Sequence, residues 1–405
     1  MKVLQLCLRI PYAASDGGSI AMLRMQEALL QSGVQLKVLA FNTHKHYIDP
    51  DSIDAGYRSR TGLEEIYLDN RVKPLTALLN LFSVDSYNVI RFIRRDFDEA
   101  LTRILLEQNY DVVLLESLFM APYIGTIRRH SGAKVILRAH NVEHLIWQRL
   151  AEQEGNTLRR WYLRLLARRL KVFERAVFNS VDAVVTVSPE DKELIRKFSP
   201  MKPVHVSPIG LNADDYRPFH QADTSAVFHL GAMDWLPNQE GVEWLLDKVW
   251  PIVLQSCPRA TLHLAGKRMP ESILRRASVG LQVEEFVKDA REYMSRYGIM
   301  VVPLLSGGGM RVKIVEGMLM QKAIVSTSIG AEGIPVSGES EILLADTPDS
   351  FASAIVRLIR DRELQLRLGS NAREFASANF DNRKIGEELI RFFSRPSPPN
   401  PVGVA

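Results

Sequence analysis

Short continuous apolar runs alternate with longer amphipathic stretches along most of the chain, and this alternation narrows the fold more than any single motif. In the first half the runs are "KVLQLCL" (2–8), "QLKVLAF" (35–41), "DVVLLE" (111–116), "KVILRA" (134–139) and "DAVVTVS" (182–188). Helical stretches such as 18–33 and 88–108 separate several of them. Strands that are apolar on both faces and joined by helices belong to parallel sheets covered on both sides. After a polar, proline-marked segment (207–225) the pattern restarts, with runs at 226–231, 260–266, 281–287, 298–305 and 322–327. Two doubly wound α/β domains joined near residue 215 are expected, and 405 residues suffice for a core in each. Ligands of such sheets sit beyond the carboxyl ends of the strands, so with two facing domains the cleft between them is the default site. The stretch 42–84 is less regular and is left largely unassigned. The tail "RPSPPNPVGVA" (395–405) is expected to be disordered.

Composition sets limits on function. A net charge of +4 is too small to imply nucleic acid, and no aromatic-interleaved basic surface accompanies it. Cys7 and Cys257 lie too far apart in sequence to suggest a disulfide framework or a metal quartet, which fits a reducing cytoplasm. The first apolar run is interrupted by Gln5 and closed by Arg9 and Pro11, so no signal peptide is expected. No run approaches the roughly 18 apolar residues of a membrane span. The expectation is a cytoplasmic protein, soluble or peripheral.

The most informative stretch is "VVPLLSGGGMRVKIVEGM" (301–318). In the α/β layout it is a strand, a glycine turn at the strand's carboxyl end, and a helix. Helix-start amides favour an anion, and Gly307, Gly308 and Gly309 let one approach the backbone. Arg311 and Lys313 add charge. Lys313 and Glu316 share a helix face, while Val312, Val315 and Leu319 mark the buried side. At about 1.5 Å per residue, Glu316 lies roughly 10 Å along the axis from Gly309, which suits a diphosphate at the helix start and a ribose diol further along. A flexible turn with a surface ion pair is the alternative. "AGKRM" carries Gly266-Lys267 but lacks the Ser or Thr of a P-loop, and no G-x-G-x-x-G follows the first strand. Gly17 and Gly18, in "SDGGSI", offer a second amide-rich turn where the first helix opens.

The segment 301–334, together with "LRAHNVEHLIWQRLA" (137–151), "SPEDKELI" (188–195) and "GAMDWLPNQEGVEWLL" (231–246), resembles the retaining family 4 (group 1) glycosyltransferases of the GT-B fold. The likeness points to a bacterial branch that makes surface polysaccharides or glycolipids. It implies two facing Rossmann-like doubly wound parallel-sheet domains with an interdomain cleft: an acceptor-side domain (1–208) and a donor domain (218–380). A last helix (381–394) would pack back on the first domain. The implied activity is retaining transfer of a sugar from a nucleotide-diphosphate donor, UDP- or GDP-linked, to a saccharide or lipid-linked acceptor. The resemblance implies no required metal or other cofactor.

Under this resemblance Glu316 matches the second of two donor-motif glutamates, the one that holds the ribose. The first would fall at residue 308, where this chain has glycine. The family's diphosphate-binding Arg and Lys are missing from the loop "GAMDWLPNQEG", leaving Arg311 and Lys313 as substitutes. His140 matches a histidine that contacts the reacting sugar. A helix-capping histidine is its other reading. Asn141 and Glu143 are expected to start and support the following helix. Glu116, Met233 and Lys267 complete the candidate positions.

"HNVEH" also fits the zinc signature H-x-x-E-H, with His140 and His144 as ligands, although His140 follows a strand and no third ligand segment is evident. Within 158–177 a stripe of Arg160, Arg164, Arg168, Lys171 and Arg175 lies nearly opposite Leu163, Leu166, Leu170, Phe173 and Val177. That stripe suits peripheral contact with anionic lipid at the inner face of the plasma membrane, and equally a solvated face. A nucleotide-sugar epimerase of the same fold and a non-catalytic sugar-nucleotide-binding protein are the rival functions.

Overall fold

The structure is a computed structural model and describes residues 1–12, 17–71, 80, 86–217, 223–307 and 309–395. Gly308 and most of the proline-rich tail (396–405) therefore lie outside the described residues. The chain divides into two compact units, Met1–Gly210 with Asn382–Ala405, and Leu211–Asp381.

The first unit is built on a seven-stranded sheet. Its strands are β1 (Lys2–Cys7), β2 (Gln35–Thr43), β3 (Glu64–Leu68), β4 (Val112–Leu115), β5 (Lys134–Ala139), β6 (Ala183–Thr186) and β7 (Val204–Val206). Their spatial order is β3-β2-β1-β4-β5-β6-β7, and all are parallel. Alternate strand residues feed two separate cores, which is why the strands read as unbroken apolar runs. Leu4, Leu6, Val113 and Leu115 join one core, and Val3, Cys7, Val112 and Leu114 the other.

The helices named below are α1 (Gly17–Gln31), α2 (Arg95–Glu107), α3 (Glu143–Gln153), α4 (Thr157–Ser180), α5 (Pro189–Phe198), α6 (Val312–Leu319) and α7 (Asn382–Phe393). Ile385, Leu389, Phe392 and Phe393 of α7 belong to the second core of the first unit. The helical stretch expected over 88–108 is broken: a short helix ends at Ile90, and α2 begins at Arg95. The Tyr123 hydroxyl causes the break, accepting from the Arg94 amide at 3.0 Å and donating to the Phe92 carbonyl at 2.6 Å.

The second unit carries a six-stranded sheet, ordered β10-β9-β8-β11-β12-β13. Here β8 is Asp223–Leu230, β9 Thr261–Ala265, β10 Leu281–Glu284, β11 Tyr297–Val302, β12 Ala323–Ser326 and β13 Leu343–Leu344. Both sheets therefore share the order 3-2-1-4-5-6 in their own numbering, the first with a seventh strand added beyond the sixth, and the order reverses between β1 and β4 and between β8 and β11. Such reversals open a crevice at the strands' carboxyl ends, where α/β sheets bind ligands.

Candidate functional site

At the reversal point of the second unit, the loops after β8 and β9 pack backbone on backbone. The Gly231 amide donates to Ala265 O at 2.9 Å, and a Cβ on Gly266 would stand 1.7 Å from Gly231 O, so only glycine fits. Met233, fully buried, anchors this floor through its amide to Lys267 O at 2.8 Å. Lys267 itself is exposed.

On the other side of the reversal, β11 leads into the glycine turn. Gly307 has φ 114° and Gly309 φ 81°, conformations that favour glycine. A Cβ on Gly307 would meet the Arg311 guanidinium at 2.6 Å and the Trp235 ring at 3.0 Å. Arg311 is the extended residue before α6, and its guanidinium lies 4.8 Å from the Trp235 ring centroid. Burial lowers its pKa, with Glu332 opposing.

Lys313 turns inward from the first turn of α6. Its Nζ donates to Leu230 O at 3.1 Å and Asn238 Oδ1 at 3.2 Å, both neutral acceptors. Among the described residues no carboxylate pairs with it, which removes the alternative of a Lys313–Glu316 surface pair. Burial, then Arg311, push its pKa down to about 7. Val312, Val315 and Leu319 are buried, as the helix pattern expects. Glu316 accepts from the Tyr216 hydroxyl at 2.9 Å, and the Tyr216 carbonyl is held in turn by Arg373 at 2.7 Å.

Sequence reasoning missed two members of this surface. Arg268, with φ 58°, brings a cation from the β9 loop to Asp234 in the β8 loop at 2.9 Å. His229, the penultimate residue of β8, is buried. Its Nδ1 donates to Val301 O at 2.9 Å, which leaves Nε2 as a bare lone pair. Burial, then Lys313, push its pKa down to about 3. The only signal in the sequence was a histidine inside an apolar strand.

In the first unit the reversal point holds a buried polar chain. Glu116, just past β4, accepts from Gln5 Nε2 at 2.6 Å, Arg138 at 3.1 Å and His140 Nε2 at 3.0 Å. Gln26 donates to Gln5 at 2.8 Å, and the Tyr57 hydroxyl donates to Gln26 at 2.7 Å. Burial pushes the Glu116 carboxyl up, but Arg138, His140 and Gln5 outweigh it and hold it below the ordinary range. His140 is pushed down, chiefly by burial. A neutral imidazole that donates from Nε2 to this carboxylate keeps its Nδ1 lone pair for a ligand. Gly17 and Gly18 fall in the first turn of α1.

Two local expectations are corrected. The residue preceding α3 is Val142, not Asn141, and the cap is Glu174 of α4. That carboxylate accepts from the Glu143 amide at 2.9 Å and the His144 amide at 3.3 Å. Glu143 thus sits among carboxylates, and burial, then Glu174 and Asp191, push its pKa to about 8. His144 is buried with Nδ1 2.5 Å from Glu174, while His140 is tied to Glu116, so the pair expected for zinc is held by two different carboxylates. The basic stripe lies on one helix, but Lys171 and Arg175 cover the Phe198 ring of α5 at 5.8 and 5.7 Å. Arg164 and Arg168 stay exposed beside Trp161. No helix among the described residues is long and apolar enough to cross a membrane.

Comparison with known proteins places this arrangement. A profile described as "Glycosyltransferase Family 4" matches residues 15–215, and one described as "Glycosyl transferases group 1" matches 224–361. An uncharacterized 44.6 kDa protein in the cps region of Klebsiella pneumoniae is 23% identical over 96% of this chain and 99% of its own. An uncharacterized glycosyltransferase of Methanocaldococcus jannaschii is 33% identical over 22% of this chain and 23% of its own. Among solved structures, a sucrose-phosphate synthase from Thermosynechococcus elongatus has 18% identity and a TM-score of 0.71, covering 97% of this chain and 98% of that one. Anabaena Alr3699/HepE in complex with UDP has 14% identity and a TM-score of 0.65, covering 97% and 100%. With two matched profiles in order along the chain and a parallel-sheet α/β fold in each unit, the chain belongs to the group 1, family 4 glycosyltransferases.

Proposed function

We propose that the protein is a retaining glycosyltransferase that moves a hexosyl unit from a UDP- or GDP-sugar to a hydroxyl of a saccharide or lipid-linked acceptor, in the synthesis of a cell-envelope polysaccharide or glycolipid. The observation that carries the donor assignment is Lys313, a half-buried ammonium beside the Arg311 guanidinium, satisfied only by neutral acceptors. Holding cations together at a desolvated point is costly unless an anion arrives. A nucleotide diphosphate supplies that anion, with the Gly307–Gly309 turn letting it reach the backbone and Glu316 accepting the ribose hydroxyls. As the glycosidic bond breaks, charge builds on the departing diphosphate, and Arg311 and Lys313 meet it. His140, with its Nδ1 lone pair, would accept from a hydroxyl of the sugar or acceptor. Gly17 and Gly18 would border that acceptor side. Met233 and Lys267 would tie the β8 and β9 loops together through their backbone bond.

The likeness to a structure solved with UDP-glucose supports a uridine nucleotide, and the cps-region relative supports an envelope product. The exposed part of the basic stripe, Arg164 and Arg168 with Trp161, is our candidate for peripheral contact with anionic lipid at the cytoplasmic face. A thermal-shift panel of nucleotide diphosphates and nucleotide sugars, on wild type, Glu316→Ala and Arg311→Ala, tests the donor site. Stabilisation by one nucleotide, lost in both variants, is expected. No stabilisation of wild type, or a normal response in both variants, sinks the assignment. Turnover of the nucleotide sugar without an acceptor would favour the epimerase. Donor binding with neither transfer nor donor hydrolysis would favour the binding protein.

A further inference from the structure

Tyr216 reaches Glu316 from outside the strand–turn–helix unit that carries the carboxylate. It lies just past Gly210, where the chain crosses into the second unit, and it is buried, at 2% exposure. Its hydroxyl donates to Glu316 Oε1 at 2.9 Å. Its backbone is fixed as well. The Tyr216 amide donates to Ala213 O at 3.1 Å, and Arg373 Nη1 donates to Tyr216 O at 2.7 Å. The same arginine nitrogen donates to the carbonyl of Leu319, the last residue of α6. A little upstream, the Leu211 amide donates to Phe380 O at 2.8 Å and anchors the start of the crossing. Arg373 therefore ties the Tyr216 backbone to the end of α6, while the Tyr216 hydroxyl holds a side chain from the middle of the same helix.

These contacts act on the carboxylate. Glu316 is half-buried, and a glutamate has three side-chain torsions to settle before it can meet a ligand in one geometry. A phenol whose ring is buried and whose backbone is clamped is a fixed donor, and its bond to a carboxylate is charge-assisted. Such a donor selects one carboxylate orientation in the empty protein, so that ordering is not left to the binding step. A carboxylate accepts at about four lone-pair positions, so a phenol on one oxygen and a ribose diol are compatible partners. A buried tyrosine must find its hydroxyl a partner, which a phenylalanine of the same shape would not need. Here that partner is a residue of the donor site.

We propose that Tyr216 is a positioning residue of the donor site: its hydroxyl presets the Glu316 carboxylate for the 2′,3′-diol of a nucleoside diphosphate, and so sets how strongly the site selects ribose over a sugar that lacks the diol. The proposal rests on the reading of Glu316 as the ribose acceptor, and it can fail while that reading stands.

The test is calorimetric titration of the full-length protein with UDP and 2′,3′-dideoxy-UDP, and in parallel with GDP and its dideoxy analogue. Wild type, Tyr216→Phe, Glu316→Ala and the double variant are compared. Phenylalanine fills the same buried slot, so the ligand-free variant should keep a thermal midpoint close to that of wild type. Wild type should bind the ribonucleotide more tightly than its dideoxy analogue. Tyr216→Phe should weaken the ribonucleotide about threefold to tenfold and leave the dideoxy analogue within about twofold. Once residue 316 is alanine, Tyr216→Phe should change neither affinity further, because the hydroxyl acts only through the carboxylate. A merely structural tyrosine would weaken both nucleotides alike. Equal weakening of the two, unchanged or tighter ribonucleotide binding in Tyr216→Phe, or losses that add in the double variant overturn the proposal. Failure of wild type to bind either ribonucleotide, or a ribose preference that survives Glu316→Ala, overturns the donor reading and the proposal with it.

Discussion

Replacing Lys313 by methionine separates a ligand-binding lysine from a structural one, because the two roles predict opposite effects on stability. The ammonium is half-buried and bonded only to Leu230 O and Asn238 Oδ1. Its pKa falls from 10.5 to about 7, through burial and then Arg311. In the unfolded chain the lysine keeps its proton up to its ordinary pKa. Between about pH 7 and pH 10.5 the unfolded state therefore binds more protons than the folded state, and stability rises with pH across that window. Below about pH 7 both states are protonated and the folded protein bears the full cost of the buried charge, on the order of a few kcal/mol. Methionine removes that cost and keeps the length and apolar contact of the side chain, against the loss of two hydrogen bonds worth about 1 kcal/mol each. At about pH 6 the ligand-free variant should be at least as stable as wild type, and its stability should rise less between pH 7 and 10.

Ligand binding should move the other way. A charge-assisted bond to the diphosphate contributes about 1.5–3 kcal/mol, so the Kd for UDP should rise about tenfold to a hundredfold in the variant. A bound diphosphate also favours the ammonium, so wild type should take up a proton on binding UDP above about pH 7, with Kd rising by up to about tenfold per pH unit. Calorimetry in buffers of different ionisation enthalpy counts that proton, and denaturant unfolding across pH measures stability. A methionine variant that is markedly less stable at low pH, binds UDP as well as wild type and still takes up the proton would refute the reasoning and make Lys313 a structural residue.

Gly307→Ala should cost about 1–3 kcal/mol of stability, since its φ of 114° is strained for alanine and the new Cβ meets Arg311 and Trp235. UDP affinity should fall as well, measured in the same titration, and an alanine variant with wild-type affinity would show that the turn does not shape the site. Glu116→Gln leaves the buried Arg138 without its counter-charge and should destabilise by about 3–5 kcal/mol in urea. Because the folded Glu116 pKa lies below its ordinary 4.5, wild type holds stability above that pH which is lost as pH falls through the folded value. That acid-side loss should shrink in the glutamine variant, and a variant as stable as wild type would count against a tightly held carboxylate. Glu316→Gln should weaken UDP several-fold but leave 2′,3′-dideoxy-UDP nearly unchanged, and an equal loss for both would remove Glu316 from the ribose.

The elements legible in the sequence were those whose signal lies within themselves. Strands β1, β2, β4, β5 and β6 bury both faces, so an unbroken apolar run marks each one. Strand β3 gave no such signal. It is the edge strand, "EEIYL", and its glutamates are spent on ion pairs, Glu65 with Arg58 and Glu64 with Lys37. Charges that protect an open edge from pairing also erase the apolar pattern that would reveal it. The break at Arg91–Arg94 and the Glu174 cap on α3 were illegible for another reason. Each depends on a hydrogen bond from a residue about 30 positions away in sequence, which no local period records.

The same distinction explains why the site was only partly legible. Gly307, Gly309, Arg311, Lys313 and Glu316 fall in one strand–turn–helix unit, and local geometry carries them to one end of β11. Arg268 and His229 reach that place from other strands, and only the sheet order brings them there. In the first unit the contrast is sharper, because Gln5, Glu116 and His140 come from three different strands, β1, β4 and β5, and none is near another in sequence. A parallel sheet gathers the carboxyl ends of its strands along one edge, and a reversal of strand order opens that edge. Both units have the same reversal, so a chain whose motifs sit in one unit presents a second constellation, built from scattered residues, at the equivalent place in the other. That placement, more than any motif, is the argument for seeking the acceptor beside Glu116 and His140.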